Sequence, residues 1–469
     1  MDWNGKRVLI IGGARQGQAA ARWLVRHAAR VTVNDQRKAE EMVPARTALA
    51  DLPVTLILGG HPLDLLEGAD VVCLSGGVPL NNPLVAEALR RGIPITNDTQ
   101  IFMENVPCKT VGITGSAGKT TTTILVGRMA TAAYGSSGLK TRREGGRPSV
   151  FLGGNVGDPL LNHVDEMKPG DLAILEISSF QLEQMNLSTN VAAVLNITPN
   201  HLDRHGTMEA YAAAKSRLLE FQNEQDVAVL GRDDPGAWGL KENVRGRLFS
   251  FGLSPLAQGN TGTFLRNGRF ILRTSDGESI LLPEDVVQLR GEHNKINILA
   301  ACAIAFAAGL PAEAIRSGVE GFSGVTHRLE FVRSWGGADW YNDSIATAPE
   351  RSIAAVRSFS EPVVLLLGGR DKDLPWGDLA ELIRQRVDHV VLFGEAAGKI
   401  LSAIGEPVQG KRPYSIERCS GLQEAVIAAS RLVQEGDVVL LSPGGTSFDE
   451  FRDFEERGER FRQWVQDLS

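Results

Sequence analysis

The sequence predicts an α/β protein of three successive doubly wound units, each a mostly parallel sheet with helices on its faces. Three observations predict it. The chain has 469 residues, and at about 150 residues per domain that length makes three cores rather than one. Short apolar runs rich in Val and Ile alternate with longer amphipathic stretches from end to end, the rhythm of βαβ units. Several of those runs stop in glycine turns, where a strand of such a fold passes into a helix.

In the first unit, RVLIIGG (7–13) reads as a buried strand, 18–27 as a helix and RVTVND (30–35) as the next strand. VVCLSGG (71–77) repeats the strand-then-glycine pattern. A helix over Leu84–Arg91 and a link through Ile93, Pro94 and Ile95 complete a domain of residues 1–97. The second unit, 98–324, opens with KTVGITGSAGKTTTTILVGRMA, a strand, a glycine loop and a helix. It continues with strands at 171–178 and 191–198 and a helix over 208–222. Alternating segments with glycine turns follow at 247–282, reading as inserted hairpins, and an alanine-rich helix, Asn294 to Ala308, closes the unit. The third, 325–469, holds strands at 363–369, 389–394 and 437–445, each followed by a helical stretch. The Gly/Arg-rich segment Gly135–Pro148 reads as a mobile surface loop.

Composition narrows the class. A hydrophobic fraction of 43% and a charged fraction of 22% are those of a globular protein. Lys and Arg number 49 against 56 Asp and Glu, and the resulting net charge of −7 excludes a broad nucleic-acid surface. Cys73, Cys108, Cys302 and Cys419 are scattered without a CxxC pair, which argues against a zinc site or disulfide framework and for a reducing cytoplasm. No apolar run approaches the roughly 18 residues of a membrane span, and MDWNGKRVLIIGG reads as a strand rather than a signal peptide.

The strongest motif is Gly112-Ile113-Thr114-Gly115-Ser116-Ala117-Gly118-Lys119-Thr120, a G-x-x-x-x-G-K-[ST] phosphate loop between a strand and a helix. Its backbone N–H groups and helix N-terminus suit phosphate oxygens. Lys119 is placed to reach the β- and γ-phosphates, and the Thr120 hydroxyl to ligate magnesium. Glu176 ends the strand DLAILEIS beside this loop, where such folds hold Mg²⁺, although position alone fits an ordinary strand-end acid equally well. The segment Asn196–His205 closes the next strand with a polar cluster in which His201 stands beside a second carboxylate, Asp203, on a strand read as adjacent to that of Glu176. Lys215, within AYAAAKSRLL, reads by default as a solvated helix lysine. No Ser–His–Asp or reactive-Cys arrangement is visible. The first glycine turn, Gly12-Gly13-Ala14-Arg15-Gln16-Gly17, has Ala14 at the second glycine of G-x-G-x-x-G, with Asp35 at about the spacing of a ribose-binding acid; alone it is a weak dinucleotide site.

Eight ordered segments carry a resemblance: GITGSAGKTTT, LEISSFQLE, LNITPNHLDRH, AAAKSRLLEF, GEHNKIN, THRLE, NDSIAT and SPGGTSFDEF. Over the whole chain they resemble the Mur ligases, and SSFQLE with the SFDEFRDFEERGERF ending is most similar to the D-glutamate-adding branch. The resemblance implies a Rossmann-like N-terminal domain for the uridine nucleotide, a central phosphate-loop ATPase domain and a Rossmann-like C-terminal domain that closes over the site. It implies ATP, two magnesium ions and two small-molecule substrates, UDP-N-acetylmuramoyl-L-alanine and D-glutamate, acting in cytoplasmic peptidoglycan precursor synthesis. The chain is expected to be a monomer without nucleic-acid or membrane partners.

Residue by residue, the resemblance implies that Lys119, Glu176, His201 and Lys215 are the catalytic set. It assigns Thr120, Glu176, His201 and Lys215 (as a carbamate) to the metal. Gly115, Ser116, Ala117, Gly118, Lys119, Thr120 and Thr121 would hold ATP, with Asn294 on the adenine side and Arg328 and Asp343 from the third domain. Asp35, Arg37, Ser75, Gly76 and Asn155 fall to the uridine substrate, and Thr347, Lys372, Ser447, Phe448 and Phe454 to the incoming amino acid. The chain departs from the branch at Ile345, where many members carry a lysine close to glutamate; Lys372 and Arg370 can compensate. Three alternatives have distinct signatures. A related ligase of other amino-acid specificity, including a folylpolyglutamate type, would answer to another amino acid. An NAD(P)-dependent oxidoreductase is opposed by Ala14 and has no use for a phosphate loop. A silent nucleotide-binding scaffold is opposed by the intact Lys119, Glu176, His201 and Lys215.

Overall fold

The computed structural model describes residues 1–134, 148–155, 157–289 and 291–469. The Gly135–Pro148 loop reading therefore lies outside the described residues, Pro148 apart, as does the side chain of Asp203.

In the first sheet Arg7–Ile11 is central, flanked by Arg30–Asp35 then Val54–Leu58 on one side and by Val71–Leu74 then Ile95–Asn97 on the other. All four pairings are parallel. Strands covered on both faces read as unbroken apolar runs, which is why RVLII and VVCL were legible. The link through Ile93 and Pro94 leads into a short edge strand, Ile95–Asn97, that its three-residue length hides from any periodicity. The helix Arg15–Arg26 buries Ala19, Ala20, Ala21, Trp23 and Leu24. It lies so close to the first turn that a Cβ on Gly17 would overlap the Gly12 carbonyl oxygen.

Among the described residues the second sheet has nine strands. From one edge they run Val150–Gly154, Leu172–Glu176, Lys109–Thr114, Val191–Val194, Val227–Gly231, Arg247–Gly252 and Thr261–Arg266, all parallel. Two antiparallel strands, Arg269–Thr274 and Gly277–Pro283, complete it. Two expectations are corrected. RLFSFG is a parallel strand of the main sheet rather than part of a hairpin, and the meander after it extends the sheet edge instead of forming an insert. The strand before His201 is not adjacent to the Glu176 strand either: the phosphate-loop strand Lys109–Thr114 lies between them.

The first two sheets share one hydrophobic core that runs from Trp23 through Phe102 to Leu175 and Leu219. The Trp23 indole also donates to Asp165 Oδ1 at 3.0 Å. Asn97, the N-cap of the helix Asp98–Asn105, donates to the Gln181 carbonyl at 2.8 Å, and Gln181 Nε2 donates to Thr99 Oγ1 at 2.8 Å. With this shared burial, residues 1–287 and 292–321 form one compact unit.

The other unit, 288–291 with 322–469, carries a six-stranded sheet. Its order is Glu330–Trp335, Ala338–Asn342, Val438–Gly444, Val363–Gly368, His389–Phe393, Ser415–Arg418. The first pair is antiparallel and the rest parallel. The leading hairpin went unread because Glu330–Trp335 is only half-buried and lacks the apolar run of the inner strands. Among the described residues no helix is long and apolar enough to cross a membrane.

Candidate active site

The phosphate loop leaves the strand Lys109–Thr114 and enters the helix Lys119–Tyr134. Gly118 has φ +82°, and a Cβ there would overlap the Asn297 side-chain oxygen, so only glycine satisfies both the turn and the packing. Asn196 clamps the loop: its side chain accepts from Ala117 N at 2.8 Å and donates to Ala117 O at 3.2 Å, while its carbonyl accepts from Ser116 N at 3.0 Å. Ser116 Oγ donates to Thr198 O at 2.9 Å and meets Tyr211 Oη at 3.0 Å.

Two lysines meet at one oxygen. Lys119 Nζ donates to Gly115 O at 2.7 Å and Lys215 Nζ donates to the same atom at 3.0 Å. Lys215 is 1% exposed, on the inner face of the helix Met208–Glu220, and its ammonium lies 4.5 Å above the Tyr211 ring. It is not the solvated lysine that its context alone suggested. Burial, and then the charge of Lys119, pull its pKa from 10.5 down to about 7. An amine held there is uncharged in a substantial fraction of molecules at neutral pH.

Glu176 is 3% exposed at the carboxyl end of its strand. Oε1 accepts from Asn155 Nδ2 at 3.0 Å, whereas Oε2 is buried with no hydrogen-bond partner among the described residues. An unpartnered buried carboxylate oxygen is costly unless a cation or donor comes to it, so the residue fits a magnesium ligand. His201 is exposed and left-handed at φ +54°, a conformation uncommon outside glycine, with its ring 5.2 Å from that of Phe180. Among the described residues no three His, Cys, Asp or Glu side chains gather closely enough to hold a metal by themselves. Thr120 and a carbamate would have to complete such a set. Asn294 is buried on the helix Glu292–Ala307, where its Oδ1 accepts from Asn297 Nδ2 at 3.2 Å.

Asn155 also faces a cavity of about 400 Å³ whose wall includes Asp35, Arg37, Ser75, Gln16 and Gly77. Gly76 is not on that wall; its N–H donates to Gln16 Oε1 at 2.9 Å. Asp35 accepts from Gly13 N at 2.9 Å and from both Arg37 Nε, at 3.0 Å, and an Arg37 terminal nitrogen, at 2.7 Å. Burial opposes its charge, but the Arg37 contacts and the Gly13 and Arg37 amides outweigh it and hold the carboxyl at about 2. Arg204, from the His201 segment, donates to the Gly77 and Val78 carbonyls at 3.1 and 3.2 Å.

In the other unit, loops at the carboxyl ends of three parallel strands are bound together. Gly444 N donates to Ala346 O at 2.8 Å, and Arg370 and Thr446 exchange backbone bonds at 2.8 and 2.9 Å. On these loops Thr347 follows Ala346, Lys372 lies two residues after Arg370 and Ser447 follows Thr446. Ser344 Oγ donates to the carbonyl of Phe454, the first residue of the C-terminal helix. Phe448 is 59% exposed. Arg370 is held bidentately by Glu395 at 3.0 Å, so of the two cations expected to compensate for the lysine missing at position 345, Lys372 is the one without an ion pair among the described residues. Asp343 accepts from Ser442 Oγ at 2.8 Å and Leu329 N at 3.2 Å; burial raises its pKa to about 7 against those bonds and the nearby charge of Arg328. Arg457, fully buried and unnoticed in the sequence, donates to Ser344 and Gly445 and fastens the same loops.

Residues 6–97 match the description "Mur ligase MurD-like, N-terminal domain", 113–305 "Mur ligase middle domain" and 327–445 "Mur ligase, glutamate ligase domain". A Symbiobacterium thermophilum protein named UDP-N-acetylmuramoylalanine--D-glutamate ligase is 38% identical over 99% of this chain and 98% of its own length. The chain belongs to the Mur ligase family. Solved Mur ligases share the fold at lower identity. The UDP-N-acetylmuramoylalanyl-D-glutamyl-2,6-diaminopimelate--D-alanyl-D-alanyl ligase of Acinetobacter baumannii has a TM-score of 0.58 at 19% identity, covering 99% of this chain and 93% of that one. The MurF ligase of Thermotoga maritima, solved in complex with ADP, has a TM-score of 0.54 at 18% identity over 100% of both chains. In this Mur ligase Asn196 and Asn297 shape the phosphate loop, yet a sequence pattern marks only the loop they hold.

The loop geometry makes Gly118→Ala a sharp test. A left-handed non-glycine residue costs about 1–2 kcal/mol, and a free loop that relaxes out of the turn must recover that cost on binding, roughly tenfold in affinity. ATP binding by calorimetry is expected to weaken at least that much with the circular dichroism spectrum retained; unchanged affinity would contradict the packing described.

Proposed function

We propose that this chain is an ATP-dependent amide ligase that joins D-glutamate to UDP-N-acetylmuramoyl-L-alanine in peptidoglycan precursor synthesis. The observation that carries the reading is the convergence of Lys119, Lys215 and the unpartnered Glu176 oxygen around one phosphate loop, with Asn155 linking Glu176 to the adjoining cavity. The names of the relatives supply the amino acid and the acceptor.

A substrate carboxylate oxygen attacks the γ-phosphorus in line, the bond to the bridging oxygen breaks, and ADP leaves an acyl phosphate. The glutamate amine then attacks the carbonyl carbon. The tetrahedral intermediate loses a proton from nitrogen and expels phosphate, leaving the amide. Such chemistry needs positioning and charge neutralisation rather than an enzyme nucleophile. Lys119 leaves its rest on Gly115 O to neutralise the β- and γ-phosphates. Gly115, Ser116, Ala117, Gly118 and Thr121 shape the loop, Asn294 meets the adenine side, and Arg328 and Asp343 serve the nucleotide. Asp35, Arg37, Ser75 and Asn155 hold the uridine substrate.

Thr120, Glu176 and His201, with a carbamate on Lys215, are the groups that would hold magnesium, which when bound draws charge from the phosphoryl oxygens. The carbamate forms when the neutral Lys215 Nζ attacks the carbon of CO₂, making an N–C bond and releasing a proton. Below about pH 7 the amine is protonated and has no free electron pair, so carbamate should rise between pH 6 and pH 8. With ¹³C-bicarbonate a carbamate resonance is expected at pH 8, weaker at pH 6 and absent in Lys215→Arg; a signal indifferent to that substitution would refute the assignment.

Thr347, Lys372, Ser447, Phe448 and Phe454 are assigned to glutamate, with Lys372 on its side-chain carboxylate. Losing a charge-assisted contact should raise the KM for D-glutamate about tenfold in Lys372→Ala with a smaller change in kcat; an unchanged KM rejects that role. Phosphate release with UDP-N-acetylmuramoyl-L-alanine and a panel of amino acids tests the whole reading. D-glutamate alone should support turnover. Equal turnover with L-glutamate or another residue overturns the specificity, and no amino-acid-dependent turnover overturns the ligase.

A further inference from the structure

One buried histidine, used by none of the steps above, ties together the segments that carry the proposed metal-holding groups. The His205 side chain is 1% exposed. Its Nδ1 lies 2.8 Å from Glu183 Oε1 and its Nε2 2.9 Å from Ser179 Oγ. An ionised carboxylate only accepts, so Nδ1 carries a proton towards Glu183, while Nε2 lies within hydrogen-bond distance of the Ser179 hydroxyl. The ring stacks on Phe180, centroids 5.1 Å apart at 8°, and tilts against Tyr211 at 5.1 Å. Phe180 in turn meets the His201 ring, and Tyr211 meets Ser116 of the phosphate loop and the Lys215 ammonium.

The connectivity is regular. Ser179 follows Glu176 by three residues, His205 follows His201 by four, and Tyr211 precedes Lys215 by four on one helix. Ser179, Tyr211 and the backbone of His205 itself thus each lie three or four residues from one of three of the four groups assigned to magnesium: Glu176, Lys215 and His201. Ser179, His205 and Glu183 also have the atom order of a nucleophile, base and acid, an arrangement invisible in the sequence. Ser179 is only 3% exposed, however, so its hydroxyl is not open to a substrate carbonyl.

We propose that His205 is a positioning residue: through Glu183, Ser179, Phe180 and Tyr211 it sets the spacing of Glu176, His201 and Lys215, and so the affinity of the site for Mg²⁺. This rests on the proposed nucleotide and magnesium reading. Orienting groups behind metal ligands are worth roughly 10–100-fold in metal affinity, which sets the scale of the test. Binding of the non-hydrolysable analogue adenosine 5′-(β,γ-imido)triphosphate is measured by calorimetry with and without Mg²⁺ in the wild type, His205→Ala, Glu183→Ala and Glu183→Gln. In both alanine variants the Mg²⁺ concentration needed for half-maximal tightening should rise about tenfold, while affinity without Mg²⁺ stays near that of the wild type. Glu183→Gln keeps an oxygen that accepts from Nδ1 and should recover most of the loss. Ser179→Ala, which removes one hydrogen bond only, provides the same readout if His205→Ala does not fold. An unchanged Mg²⁺ dependence in folded His205→Ala, Glu183→Ala and Ser179→Ala overturns the proposal. A wild type whose nucleotide binding ignores Mg²⁺ overturns instead the reading on which it rests.

Discussion

The Gly115 carbonyl oxygen, shared by two lysine ammonium groups, is the constraint on which the rest of the site depends. One of these two cations is almost fully buried, and the charge of the other adds to that penalty. The buried one yields: Lys215 drops to about 7 while Lys119 keeps the half-exposed position from which it can reach a ligand. A site that stays short of negative charge in this way is poised for anions. The phosphates of ATP and a carbamate on Lys215 both supply them, which gives the family assignment a local physical cause.

The cavity and the phosphate-loop site are joined by direct hydrogen bonds. Asn155 belongs to the wall of the cavity in the first unit and also donates to Glu176, and Arg204 fastens the cavity loop at Gly77 and Val78 to the segment of His201. The cavity wall is therefore hydrogen-bonded to Glu176 and to the segment of His201. The shared core of Trp23, Phe102 and Leu175 makes this linkage stiff, because close-packed interiors transmit small displacements rather than absorb them.

The architecture was legible wherever strands are buried on both faces, since RVLII, VVLLLG and VVLLSPG leave no other reading. It was illegible at a sheet edge such as Glu330–Trp335, where a half-exposed strand carries polar residues and periodicity fades. The phosphate loop was plain because its Gly-Lys-Thr spacing is a local pattern, and Gly118 in it takes a left-handed turn that side chains rarely adopt. Lys215 was not, because burial of a lone lysine is a tertiary fact; an apolar helix face hints at it without deciding it. Strand order was misjudged for the same reason: nothing local to DLAILEIS or VAAVLNIT says that the phosphate-loop strand separates them. The clamps Asn196, Asn297 and Arg457 act through atoms far apart in sequence, so no motif records them.

The central claim is that the loop gathered around Gly115 activates a carboxylate by passing it a phosphoryl group. Labelling the alanine carboxylate of UDP-N-acetylmuramoyl-L-alanine with ¹⁸O tests it most directly. Attack of that oxygen on the γ-phosphorus, followed by expulsion of phosphate from the tetrahedral carbon, must carry one labelled oxygen into inorganic phosphate and leave the other in the amide. Mass spectrometry of the phosphate should therefore find one ¹⁸O for each amide formed. Unlabelled phosphate beside a labelled amide product would contradict the account.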